Sequence, residues 1–123
     1  MTSLGGNPRS YTPDEFAEKA IDYFEWVSDN PLSEEKVSGG DVIKVNKMRA
    51  MTIRGFCLFA GISRQTFLNY EKDERYLDIV TRIKDIIYTQ KFEGASADLL
   101  NVNIIARELG LAEKTDMTLK NSP

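Results

Sequence analysis

The stretch "GFCLFAGISRQTFLNYEK", residues 55–72, decides how this chain folds. An apolar run stops at Gly61, and a polar run with aromatics spaced through it follows. The pattern fits two short helices joined by a glycine turn. Two readings compete. The pair is either a helix-turn-helix that presents its second helix to DNA, or two core helices whose exposed residues have no task.

The spacings favour the first reading. Helices that cross steeply need a small residue where they approach, and Cys57 stands four positions before the glycine. The turn needs a residue that tolerates positive φ, which Gly61 supplies. Ile62 can plug the corner. Phe67 and Tyr70 can hold the second helix down, with Phe56 and Ala60 completing the inner set. Thr52 is placed to cap a first helix over 53–60, and Ser63 a second over 64–71. Arg64, Gln65, Leu68 and Asn69 are left facing outward. Arg, Gln and Asn are the side chains that make paired hydrogen bonds to guanine and adenine edges. Ser63 and the helix N-terminus suit a phosphate oxygen.

Charge is distributed in the same sense. The formal net charge is −3, which alone argues against nucleic acid. Residues 1–43 carry three basic and nine acidic side chains, however, and residues 92–123 carry three and five. Between them, residues 44–91 carry ten basic and five acidic. A local basic patch can bind phosphates on an acidic chain. Lys47, Arg49 and Arg54, just upstream of the motif, are the candidate phosphate contacts.

Further upstream, residues 1–11, "MTSLGGNPRSY", have no periodicity and read as a flexible arm. Thr12, Pro13 and Glu15 form a capping box with proline in the first turn. Phe16, Ala20, Tyr23, Phe24 and Val27 then mark one face of a helix over about 13–28. Its acidic opposite face should avoid DNA. Ser38-Gly39-Gly40-Asp41 is a turn signal, and β-branched residues flank it. A β-hairpin near 36–46 is expected, or else an ordered loop.

Downstream, a long helical pattern runs from Asp73 to about Leu100, interrupted by the small residues of "GASA". Its apolar positions, Val80, Ile83 and Ile87 among them, cover more than one narrow stripe. They point to an oligomerisation surface, or to a face covered by the helices at 13–28 and 102–109. Asn101 or Asn103 opens a short final helix that Gly110 stops. The tail 113–123 is polar and expected to be disordered. The organisation predicted is therefore mostly α: a helical helix-turn-helix domain with a small hairpin over 12–72, a helical oligomerisation region over 73–112, and two irregular ends.

Several functions are disfavoured. With no histidine and one cysteine, a zinc site or a Ser/His/Asp centre has no residues to build it. No phosphate-cradling glycine loop is present, and no carboxylate pair sits in an apolar setting. Neither a catalytic site nor a cofactor is expected. No apolar run nears the roughly 18 residues of a membrane span, and a leader pattern is absent, so a soluble intracellular protein is expected.

The segments "GISRQTF" and "KFEGASADLLNVNIIARELGLAEKTD", with a long helix between them, resemble the small terminase subunits of tailed bacteriophages. The resemblance covers about residues 11–117, and "NVNIIARELGLAEK" carries it most strongly. It implies a non-enzymatic protein of the host bacterial cytoplasm that recognises packaging-initiation sites on double-stranded phage DNA. It implies a ring of subunits that recruits or regulates the large terminase subunit, which holds the ATPase and nuclease. In that setting Arg64, Gln65 and Asn69 would contact DNA, and the helix over 74–100 would join subunits. A small helix-turn-helix transcription regulator is the alternative.

Overall fold

The computed structural model describes residues 10–110. Five helices and one antiparallel hairpin follow one another: α1 (Pro13–Asp29), β1 (Leu32–Ser38), β2 (Asp41–Lys47), α2 (Ile53–Ala60), α3 (Arg64–Glu71), α4 (Glu74–Ser96) and α5 (Val102–Leu109). The mostly helical layout read from the sequence is the one found.

Local chemistry explains each boundary. At the start of α1 the Thr12 hydroxyl accepts from the Glu15 N–H, and the Glu15 carboxylate accepts from the Thr12 N–H. Two otherwise unpaired backbone donors are thereby satisfied. Thr52, Ser63 and Asn101 cap α2, α3 and α5 more simply, each side chain accepting from the N–H three residues on, at Gly55, Thr66 and Ile104. Asp73, just before α4, accepts from the Arg75 N–H. The hairpin turns through Gly39 and Gly40, both at positive φ, which is the two-residue turn whose twist suits antiparallel strands. Its strands are longer than the expected 36–46, reaching from Leu32 to Lys47.

The long helix stops earlier than expected, at Ser96 rather than near Leu100. The Gly94 carbonyl accepts from both the Leu99 and Leu100 N–H groups, so the chain folds back over the helix end. A Cβ at Gly94 would meet the Leu100 Cδ1 at 2.6 Å and the Met48 Sδ at 2.8 Å, so a larger residue would have to displace both side chains. Asp98 takes a left-handed φ of 60° to complete the reversal, a conformation that short polar side chains tolerate.

Two compact units result. The first holds the described residues up to Asn30 with Met51–Ile87, and so contains α1, α2, α3 and most of α4. Its core is built around Phe16, with Tyr23, Phe56, Phe67 and Tyr76 packed near it and Val80, Ile83 and Ile87 completing it. The apolar stripe of α4 belongs to the helix-turn-helix core as far as Ile87. The second unit holds Pro31–Ala50 with the described residues from Tyr88. Within it the buried Lys91 ammonium donates to Glu108 at 2.7 Å, tying the end of α4 to α5, and Ile105 is buried. The Gln90 amide donates to the Arg49 carbonyl at 3.0 Å.

One expectation is corrected at its edge. The proposed arm over 1–11 falls mostly outside the described residues, but Tyr11 is not free. Its N–H donates to the Tyr70 hydroxyl, its carbonyl accepts from the Tyr76 hydroxyl, and its own hydroxyl donates to the Ala60 carbonyl. Tyr11 precedes the cap of α1 and packs near Phe16, a hydrophobic staple.

Candidate nucleic-acid interface

The pair α2–α3 has the construction the motif demanded. Gly61 takes φ 73°, and its N–H and that of Ile62 return to the last carbonyls of α2. Phe56, Cys57, Ala60, Ile62 and Phe67 are all buried. Tyr70 is half-buried and stacks on Tyr76 with centroids 4.3 Å apart. The inner face of α3 is thus anchored to both α1 and α4. The small residue at the helix crossing, Cys57, loses so much hydration that its thiol is pushed up to about 11, partly opposed by the nearby Arg64 charge.

Anchoring the inner face leaves the outer one defined. Ser63, Arg64, Gln65 and Asn69 are exposed along α3, and Leu68 is only just exposed. The Ser63 hydroxyl accepts from the Thr66 N–H at 3.0 Å and donates to the Thr66 hydroxyl, so the cap is already engaged. The Gln65 amide donates to the Asn69 carboxamide oxygen at 3.0 Å, one turn along. That contact lines up two amides on one ridge. Arg64 leads it at the N-terminal end, and Arg54 is exposed in the first turn of α2.

The remaining candidate cations lie in the other unit. Lys47, at the end of β2, pairs with Glu34 across the hairpin at 3.2 Å, both side chains about half exposed. Arg49 is only partly exposed. Elsewhere in the first unit, Arg75 is held by Asp73 through two side-chain hydrogen bonds, which keep that carboxyl below its usual range. Lys84 pairs with Glu71. Sequence reasoning missed both of these pairs. Only spacing along a folded α3–α4 corner brings Glu71 to Lys84.

Val80, Ile83 and Ile87, expected at a subunit contact, are 0%, 1% and 3% exposed inside this one chain. They pack in the first unit's core and leave no surface for a second copy. The exposed apolar side chains of α4 are others: Leu77, Tyr88 and Phe92. Among the described residues, most of the exposed large apolar side chains lie in the second unit, on the hairpin, at the end of α4 and around α5. Among the described residues no helix is long and apolar enough to cross a membrane.

A family profile described as "DNA-packaging protein gp3" matches residues 6–117. The terminase small subunit of Salmonella phage P22 is 46% identical over 120 residues, spanning 94% of this chain and 74% of that protein.

Proposed function

The chain belongs to the DNA-packaging protein gp3 family, and from that premise we propose that it binds packaging-initiation DNA, self-assembles and engages the large terminase subunit. It is a small terminase subunit of phage DNA packaging, a regulator rather than an enzyme. It works beside the phage genome in the host cytoplasm. α3 lies in the major groove, with Arg64 and Gln65 on base edges, Asn69 beside them and Ser63 at a phosphate. Arg54, Lys47 and Arg49 hold the backbone. The observation that carries this reading is the α3 ridge itself. Its inner side is fixed by Phe67 and Tyr70, while Arg64, Gln65 and Asn69 stand exposed on the outer side, with the Gln65 amide donating to the Asn69 carboxamide.

Self-assembly is supported by the apolar side chains that the second unit exposes among the described residues. The subunit contact therefore moves from Val80, Ile83 and Ile87 to that unit.

The test is a fluorescence-anisotropy titration of wild type and Arg64→Ala on phage and random duplexes at several salt concentrations. Arg64→Ala is expected to lose about 1–3 kcal/mol on the preferred duplex and to relax sequence preference. Salt-independent or absent binding by wild type would remove the DNA reading. A dimer that binds a short palindrome, with no affinity for a large ATPase subunit, would indicate a transcription regulator instead.

A further inference from the structure

We infer that the β1–β2 hairpin is an assembly strap: the outer edge of β2 in one copy pairs, antiparallel, with the outer edge of β1 in the next. The inference rests on the proposed self-assembly and specifies the surface that makes it. All residues of both strands are exposed except Val45, which is partly so. Val37 and Val42 face each other near the tip at 76% and 65% exposure. A two-stranded sheet that buries neither face is marginal in water. Both of its edges are free, since the sheet has two strands only among the described residues.

The turn determines what those edges offer. With Gly39 and Gly40 as a two-residue loop, Ser38 and Asp41 close the ladder as a hydrogen-bonded pair. Hydrogen-bonded pairs then alternate with open ones down the hairpin. The open pairs are Ser33 with Asn46, Glu35 with Lys44, and Val37 with Val42. Their N–H and C=O groups point outward, unpaired, along the two edges.

The side chains make these edges complementary to each other and not to themselves. β1 presents Glu34 and Glu35 against one lysine, and β2 presents Lys44 and Lys47 against one aspartate. Like edges would place like charges opposite, which is unfavourable. Unlike edges place Glu35 against Lys44 and Val37 against Val42, the pairing already used inside the hairpin. A rotation that keeps hairpins level repeats this register from copy to copy. The contact is head-to-tail, so repetition forms a ring when the rotation between copies divides a full turn, and a closed ring leaves no free edge.

The test uses two full-length single-cysteine additions, Glu35→Cys and Lys44→Cys, oxidised alone and after co-expression. Cys57 is buried and does not compete. Unlike-edge pairing predicts a disulfide-linked dimer on a non-reducing gel only for the co-expressed pair. Cross-linking of either variant alone would mean like-edge contact and would overturn the inference. An absent cross-link with an oligomeric mass by light scattering would overturn it while leaving self-assembly standing; a monomeric mass would overturn both. Asn46→Pro gives a second reading, because it removes an outward N–H and no ladder bond. It is expected to keep wild-type circular dichroism and to form smaller assemblies; an unchanged mass would count against the strap. If the cross-link is absent and Lys44→Ala weakens duplex binding, the basic edge belongs to DNA instead.

Discussion

Single side chains here do two separate jobs, and the difference is measurable. Arg64 stands on a ridge that would read bases, whereas Lys47 sits at the end of a strand and holds Glu34 at 3.2 Å. A lysine engaged this way can only add a phosphate contact by exchanging partners, both being half exposed to water. Lys47→Ala is therefore expected to weaken binding to all duplexes alike. It should lower the slope of log affinity against log salt by at most about 0.9, the contribution of one phosphate. A change in sequence preference would contradict this role. Cys57 offers a test of the helix crossing. Burial raises its thiol to about 11 from 9.0. The folded state thus favours the neutral thiol, and its contribution is fully present below pH 9 and lost as pH rises toward about 11. At pH 8 the thiolate fraction is roughly 100-fold below that of an ordinary thiol. Native protein should react with a disulfide reagent far more slowly than unfolded protein; equal rates would mean the crossing is open. Gly61→Ala would force a Cβ into the left-handed region at φ 73° and should cost about 1–2 kcal/mol of stability in a urea titration.

At the scale of elements, α4 shows where a sequence pattern stops being informative. Val80, Ile83 and Ile87 recur at helical spacing, and periodicity marks them as a buried face without saying what buries them. The answer depends on α1, α2 and α3 closing over them, which is a tertiary fact. Ile83→Ala should accordingly destabilise the chain itself by about 2–5 kcal/mol. Leu77→Ala, on the exposed side of the same helix, should stay within about 0.5 kcal/mol. Comparable losses for the two would reverse the assignment of faces. Other elements were legible for local reasons. The Thr12–Glu15 box fixed the start of α1, and Ser38-Gly39-Gly40-Asp41 located the hairpin, because caps and turns are short-range chemistry. The α3 ridge was legible too, since Gly61, Ile62 and Phe67 set its rotation. The fold-back of Leu100 over Gly94 was not, because the glycine's role is to be absent beneath a residue six positions on. Tyr11 was read as part of a flexible arm, because the hydrogen bonds that hold it, to Tyr70, Tyr76 and Ala60, join residues far apart in sequence.

On the scale of the whole molecule, charge and apolar exposure pull toward one design. The chain carries −3 overall, so one copy of its basic α2–α3 region gains little from long-range attraction to DNA. The apolar side chains exposed in the second unit among the described residues favour association of copies. The proposed assembly would answer both conditions: it would cover the apolar surface and set many α3 ridges on one duplex. Linked sites gain an effective concentration that can raise affinity about 10²–10⁴-fold with no new contact per site. Asn46→Pro, which leaves Arg64, Gln65 and Asn69 untouched, should therefore lose duplex affinity along with its assembled mass. Its salt dependence should also flatten, because fewer phosphates are neutralised in each bound complex. Light scattering and anisotropy on the same samples, over a dilution series, measure both quantities together. Wild type is expected to lose affinity at the concentration where its mass falls. If affinity stays constant while the assembly dissociates, a single α3 supplies the binding energy, and the contribution of the ring lies in engaging the large subunit rather than in holding DNA.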